Sequence, residues 1–414
     1  MNLQLKAPKL TVVEKKAIQI TGSKSESNRL LILQQQYPNL KIKNLSNSDD
    51  TVHLQHALNS GTDVLDIGHA GTAMRFLTAY LANQEGREVT LTGSARMKER
   101  PIGILVDALR YLGAQIDYLE KEGYPPLRIK GKKLQGGEVT MDAGVSSQYL
   151  SALLLIGAQM EHGLQLRLAG KLTSRPYLEM TTSLLKEVGI GTRFEENHIH
   201  IEPKKTILNV KITVESDWSS AGYWYSWVAL QSPGYAMQLS SYKKTSLQGD
   251  SKLVDIYEKL GVATSFENDH ILLEKRQDFQ HPQKLEFDLT QQPDQAQTIF
   301  ATCIGLGIDL KLTGLHTLRI KETDRIEAMA VEGARFRESE IKTSPDTIEI
   351  HFLSKSHFKD KVSIDTYKDH RMALAFAPLC MKTTLIIRDA DVVTKSYGDY
   401  WEDMKAVKVN ITEI

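Results

Sequence analysis

One spacing constrains this chain more than any single motif. Six segments share a plan, a small polar opening followed by a helix-length apolar run: SKSESNRLLIL from Ser23, GTAMRFLTAYLA from Gly71, SSQYLSALLLIG from Ser146, SSAGYWYSWVAL from Ser219, PDQAQTIFATCIG from Pro293 and DHRMALAFAPL from Asp369. From Gly71 onward the starts advance by 75, 73, 74 and 76 residues; only the first interval, 48, is short. A fixed interval of this size marks a repeated supersecondary unit, and a chain of 414 residues has room for six. Between the segments recurs an amphipathic helix closing on glycine, in VDALRYLGA, SLLKEVGI and DIYEKLGV, with Gly113, Gly189 and Gly261 spaced 76 and 72 apart. Alternating runs such as HIHIEP and HILLEK follow and read as strands. The unit is strand, helix, strand, helix, strand, strand, an α/β fold. In the first unit the helix DDTVHLQHALNSG is present, but only Thr62 to Gly68 separate it from His69, so a hairpin is missing there.

The first helix of each unit is apolar nearly all round, most clearly over Tyr149–Ile156 and Tyr223–Leu230, and such a helix belongs in a core. Its polar opening is then the part that meets ligands. Openings of this kind present unpaired N–H groups and positive dipole ends, suited to phosphate and carboxylate. The charges agree. Lys+Arg and Asp+Glu are 51 each, so no basic excess points to nucleic acid. Yet cations cluster at the openings: Lys24 and Arg29, Arg75, Arg96, Lys98 and Arg100, Lys321 and Arg325, Arg371, and Lys395. Any one could be a solvated surface charge; their recurrence at matching places favours multiply anionic small molecules. Asp294, in PDQAQT, suits an N-cap as well as catalysis. Glu322, between Lys321 and Arg325, suits a salt bridge or an acid/base role. Asp49 and Asp50 read as helix-start acids.

Other classes lose support. Neither a P-loop nor a G-x-G-x-x-G fingerprint is present, and the 12 histidines show no H-E-x-x-H spacing, so no nucleotide site or metal is expected. No apolar run reaches the roughly 18 residues of a membrane helix, and the opening MNLQLKAPKL lacks a signal-peptide core. Cys303 and Cys380 sit in apolar segments and read as buried thiols. A cytoplasmic enzyme, monomeric by default, is expected.

Taken in order, GSKSESNR, GTAMR, RMKERPIG, YPPLRI, VSSQYL, SRPY, LQGD, PDQAQT, IKETDRI, DHRMA and the Lys395 segment resemble the 5-enolpyruvylshikimate-3-phosphate synthase family of enolpyruvyl transferases over nearly the whole chain. The resemblance implies a two-domain inside-out α/β barrel with three β-α-β-α-β-β units per domain, the first unit shortened. One domain would comprise residues 1–21 plus 216–414 and the other 22–215, with the active site in the cleft between them. It implies transfer of the enolpyruvyl group of phosphoenolpyruvate to the 5-hydroxyl of shikimate 3-phosphate, with release of phosphate through a tetrahedral intermediate and without cofactor or metal. Shikimate 3-phosphate would be held by Lys24, Ser25, Arg29, Ser146, Ser147, Gln148, Ser174, Asp294 and Lys321, with Tyr177 beside them. Phosphoenolpyruvate would be held by Lys24, Gly71, Arg100, Gln148, Arg325, Arg371 and Lys395. Asp294 would be the principal acid/base and Glu322 its partner at the methylene, with Lys24 assisting near the departing phosphate.

Departures from the family pattern are His69 for Asn, Phe76 for Pro, Thr317 for Asn and Gly398 for Pro, which bear on pocket shape and on sensitivity to glyphosate, the inhibitor for which the family is a target. AVEGARFRES, from Ala330, is atypical for the helix expected there. Two rivals remain at this level. A UDP-N-acetylglucosamine enolpyruvyl transferase would carry a reactive cysteine in the N-terminal half, where this chain has none. A non-catalytic phosphometabolite-binding protein of the same fold would be free to lose Asp294 or Glu322.

Overall fold

A computed structural model describes residues 1–8, 16–144, 146–170, 172, 175–268, 270–353 and 357–414. The chain divides into two compact units, residues 1–21 with 215–414, and residues 22–214. Glu215, assigned by the sequence to the 22–215 segment, belongs to the other unit for a physical reason. Its carboxylate accepts hydrogen bonds from the Trp218 indole (2.8 Å), the Lys243 amide (2.9 Å) and the Ser246 hydroxyl (2.6 Å), all in that unit.

Within 22–214, three helices form the centre: α1 (Lys24–Gln36), α2 (Gly71–Ala82) and α3 (Ser147–Gly157). They pack on one another, and every residue of α2 is buried, as is α3 from Tyr149 to Gly157. A helix with no polar face gains by removing all sides from water, about 1.5–3 kcal/mol for each large side chain such as Leu153 or Leu154. Sheets cover this centre. Val64–Asp66 and Glu88–Thr92 run parallel on either side of α2 in sequence, followed by the helix Gly103–Tyr111 and the hairpin Gln115–Tyr118/Leu127–Lys130. Gly137–Asp142 and Leu164–Ala169 repeat the plan around α3, with the helix Arg175–Glu187 and the hairpin Thr192–Glu195/His198–Ile201. The third sheet has two strands, Leu40–Lys43 parallel to Val210–Thr213. The hairpin missing from the sequence after Gly61 is missing from this sheet.

The other unit has its own three central helices, α4 (Trp218–Ala229), α5 (Ala296–Leu306) and α6 (His370–Phe376), again packed on one another. Among the described residues its sheets are four-stranded and of one order, a parallel pair extended by two antiparallel strands. The last is completed by the N-terminal strand Leu3–Lys6, which lies between Thr384–Ile387 and Asn410–Glu413.

The closing glycines do what their spacing implied. Gly113, Gly189 and Gly261 have φ of 99°, 87° and 84°, the left-handed region that ends a helix cheaply only without a Cβ. Of AVEGARFRES only Ala330–Gly333 is helical, as the end of the helix Arg325–Gly333, and Ala334–Arg337 turn away towards the strand Ser339–Thr343; a Cβ on Gly333 would meet the Phe300 ring at 2.6 Å. Packing, not local propensity, accounts for that glycine.

A contrast between two glycines tests the packing. A Cβ on Gly131 would lie 1.9 Å from the Gln84 carbonyl oxygen, whereas Gly61 has nothing within 4 Å. In urea unfolding, Gly131→Ala should lose about 2 kcal/mol or more and Gly61→Ala should stay within about 0.5 kcal/mol of wild type.

Candidate active site

In the 22–214 unit the expected residues gather at the openings of the central helices. Lys24 begins α1, and Ser146, before α3, accepts the Gln148 amide at 3.4 Å. Ser25 lies in the first turn of α1 and Ser147 is the first residue of α3. The Gln148 side chain donates to Thr72 Oγ1 of α2 (3.4 Å), tying two openings together. Asp50 ties a third. Its carboxylate accepts from Asn28 of α1 (3.1 Å) and from the Ala73 amide of α2 (3.3 Å), so this acid in the first turn of the helix Asp49–Asn59 holds two other helices. Ser174 lies outside the described residues.

Gly71 lets a cation approach its backbone. The Arg100 guanidinium lies so close that a Cβ would meet Nη1 at 2.5 Å. Behind it, Arg75 is buried, donating to the Gly71 carbonyl (3.1 Å) and the Pro101 carbonyl (3.2 Å) over the face of Tyr149. Burial, with the charge of Arg100 adding, brings Arg75 down to about 10. No carboxylate lies within ion-pairing distance of Arg75 or Arg100 among the described residues. Two neighbouring cations without a counter-charge are a place for an anion. Sequence reading counted Arg75 among the cations but assigned it no site; its signal is position i+4 from Gly71 on a buried helix.

Arg29 differs. Its guanidinium donates to Thr181 (2.7 Å), the Ser25 carbonyl (2.8 Å), Ser151 (3.0 Å) and the Tyr177 carbonyl (3.4 Å), and packs against Phe76 and Tyr177. Burial brings it down to about 10. Most of its donors therefore hold protein, and Phe76 supplies an aromatic face to the cation. His69, the other departure in this unit, is half-exposed, 3.6 Å from Asp49 and edge-on to His53.

In the other unit Arg325 is the hub, with a side chain 2% exposed. It donates from Nε to Asp369 (2.7 Å), from Nη1 to Asp294 (2.8 Å) and from Nη2 to Glu322 (2.9 Å). Burial alone would lower it, but Asp369, Glu322 and Asp294 together raise it above the ordinary arginine value. Burial would likewise raise Glu322, yet Arg325 and then His370 hold its carboxyl well below the usual carboxylate range. Arg371 takes the other oxygen of Asp294 (3.1 Å) and its carbonyl (2.9 Å), and Lys321 approaches at 3.9 Å. The residues at the N-cap positions before α5, Gln292 and Gln295, make no side-chain capping hydrogen bond, and the Asp294 carboxylate meets the cations Arg325, Arg371 and Lys321. Asp369 caps α6 through the Arg371 amide (2.9 Å) and orients Arg325. Sequence reading used DHRMA as a tag and gave Asp369 no role. Asp250, of LQGD, was also missed; it accepts from the Ser219 hydroxyl, which in turn faces Arg371 (3.4 Å).

Lys395 donates to the Lys368 carbonyl (2.8 Å). Its segment is anchored by buried Tyr397, whose hydroxyl donates to Asp403 (2.6 Å) and accepts from the Trp224 indole (3.1 Å). Gly398 has no neighbour within 4 Å of an added Cβ. A cavity of about 250 Å³ opens on the sheet at Lys284, Asp309 and His351, away from every residue above, and its charges pair with one another. Among the described residues no group of His, Cys, Asp or Glu is arranged to hold a metal, and no helix is long and apolar enough to cross a membrane.

A pair of arginines without an ion-paired carboxylate at a buried helix opening in one unit, and two carboxylates on one buried guanidinium in the other, make this a protein equipped to bind multiply anionic small molecules and to move protons on them. Comparisons agree. The model of the family described as EPSP synthase (3-phosphoshikimate 1-carboxyvinyltransferase) matches residues 39–404. A 3-phosphoshikimate 1-carboxyvinyltransferase of Bacteroides fragilis is 44% identical over 394 residues, covering 94% of this chain and 95% of that one. One from Yersinia pestis is 36% identical over 415 residues, covering 93% and 94%. In fold, the chain is similar to an EPSP synthase structure from Acinetobacter baumannii, with a TM-score of 0.80 at 20% identity over all of both chains. The enolpyruvyl transferase NikO from Streptomyces tendae gives 0.73 at 13% identity, covering 99% and 98%. This chain belongs to the EPSP synthase family.

Two predictions follow from local environments. Cys303 and Cys380 are buried, and burial pushes both thiols up. A thiol reagent should label neither in the folded protein and both after denaturation. Burial also pushes the Asp403 carboxyl up to about 6. Held more tightly in the fold than in the unfolded chain, that proton stabilises fully below about pH 4 and ceases to do so as pH rises through about 6. Melting temperature should therefore fall over that interval relative to Asp403→Asn, and equal slopes would contradict it.

Proposed function

We propose that the chain transfers the enolpyruvyl group of phosphoenolpyruvate to the 5-hydroxyl of shikimate 3-phosphate and releases phosphate, in the shikimate pathway. The observation that carries the proton chemistry is that Asp294 and Glu322 hang on one buried guanidinium, 2.8 and 2.9 Å from Arg325. A shared rigid partner fixes two acid/base groups relative to each other before substrate arrives.

Asp294 accepts the 5-hydroxyl proton as that oxygen attacks C2 of phosphoenolpyruvate. Glu322 delivers a proton to the methylene carbon, which becomes a methyl group. In the second half Glu322 takes a proton back from that methyl as the C–O bond to phosphate breaks, and the proton held by Asp294 leaves with the phosphate, near which Lys24 assists, so both acids return to their starting states. In the free protein Glu322 is ionised, held so by Arg325. An anionic substrate arriving at the same arginines offsets that charge and raises the proton affinity of Glu322, so its proton is taken up on binding. Gly71, Arg100, Gln148, Arg325, Arg371 and Lys395 hold phosphoenolpyruvate, with Lys24 shared. Lys24, Ser25, Arg29, Ser146, Ser147, Gln148, Ser174, Lys321 and Asp294 hold shikimate 3-phosphate. Arg75 supports the first set by keeping Gly71 and Arg100 together.

Phosphate release from the purified chain should require both phosphoenolpyruvate and shikimate 3-phosphate, and UDP-N-acetylglucosamine should not replace the latter. Asp294→Ala should lower kcat by about 10²–10⁴. Release with the nucleotide sugar, or with neither acceptor, would overturn the proposal.

A further inference from the structure

The turn that delivers α6 is built against local preference. It closes through the Asp369 amide donating to the Thr366 carbonyl (2.8 Å), and both central residues are left-handed, Tyr367 at φ 54° and Lys368 at φ 58°. That is the φ pattern of a type I′ turn, which glycine and asparagine ordinarily fill. A β-carbon in this region crowds the backbone, and a tyrosine there is an outlier that something else must hold in place.

What holds it is the helix Arg325–Gly333. Glu332 on that helix is fully buried, and its carboxylate accepts the Tyr367 hydroxyl at 2.6 Å, with the Asp365 amide at 3.3 Å and Arg335 at 2.9 Å as further partners. Arg325 and Glu332 are seven residues apart, so they share one helix face two turns from each other. The helix therefore grips the strained segment at both ends, Arg325 through Asp369 and Glu332 through Tyr367. The Lys368 carbonyl, exposed by the same turn, receives Lys395. Immediately beyond it, Asp369 caps the Arg371 amide and Arg371 takes Asp294. Strain of this kind, over-determined by its surroundings, collects beside functional sites.

We infer that Tyr367 and Glu332 are positioning residues for phosphoenolpyruvate: by holding the Tyr367–Lys368 turn left-handed, they aim Arg371 and present the backbone acceptor of Lys395. The inference rests on the assignment of Arg371 and Lys395 proposed above. Tyr367 is 39% exposed, so its ring contributes little to the core and its hydroxyl is the part with a defined task.

The test is steady-state kinetics on Tyr367→Phe, Glu332→Gln, Arg371→Ala and the double variant Tyr367→Phe/Lys368→Asn, with melting temperatures. Tyr367→Phe should raise KM for phosphoenolpyruvate about tenfold and leave KM for shikimate 3-phosphate within about twofold, because a small misplacement of Arg371 is felt by one substrate. Glu332→Gln still accepts the hydroxyl and should keep most of the activity. Lys368→Asn tolerates the left-handed region and should recover much of the loss in the double variant. Tyr367→Phe with both KM values and kcat unchanged overturns the inference. So does a loss shared equally by both substrates, or one that Lys368→Asn does not relieve. Arg371→Ala separates the two levels. If it leaves KM for phosphoenolpyruvate unchanged, the site assignment falls and the inference with it. If it is impaired while Tyr367→Phe is not, only the inference falls.

Discussion

Taking a guanidinium out of water is costly, and Arg325 is out of water because three carboxylates meet it. Each of those carboxylates does something more. Asp369 caps α6, Asp294 is shared with Arg371, and Glu322 is held below the usual carboxylate range although burial by itself would raise it. Remove Arg325 and buried Asp369 loses its guanidinium, while Asp294 is left to Arg371 and Lys321 and Glu322 to His370 and Lys321. The helix it starts also supplies Glu332 two turns on, so one element sets both the charge cluster and the backbone turn beside it.

Two buried arginines of the 22–214 unit are held in the opposite way. Arg75 and Arg29 are buried, but their donors go to carbonyls, hydroxyls and aromatic faces, and burial lowers both below the ordinary value. Neither makes an ion pair among the described residues, and Asp50 and Glu26 offset them only in part, whereas Arg325 is met by three carboxylates. A net charge of zero over the chain conceals this. The division suits the proposed reaction: one set of residues has cationic capacity to spare for phosphate and carboxylate, and the other holds proton-transfer groups at fixed geometry.

The departures from the family pattern acquire physical readings. Phe76 fills the space against Arg29 and gives it an aromatic partner. His69 is half-exposed beside Asp49, and Gly398 occupies open space next to a segment that Tyr397 pins independently. Both cysteines are buried with raised thiols, unlike the reactive cysteine that the nucleotide-sugar enzyme would carry.

The six-fold plan, the central helices and the unit without a hairpin were legible in the sequence because they depend on local periodicity: an apolar-all-round helix must be buried, and a missing segment cannot form strands. The cations at helix openings were legible for the same reason. Which of them are free to bind, and which are consumed by the protein, was not. Arg29 meets Thr181 across 152 positions, Arg325 meets Asp294 and Asp369 across 31 and 44, and Tyr367 meets Glu332 across 35. Asp294 could be read equally as a cap until the tertiary structure gave its carboxylate to arginines. The left-handed Tyr367–Lys368 turn ran against every local preference. Sequence alone determined which residues carry charge and where along each helix they fall. Only the tertiary structure decided their partners, because the energy of a buried charge depends on what surrounds it in space.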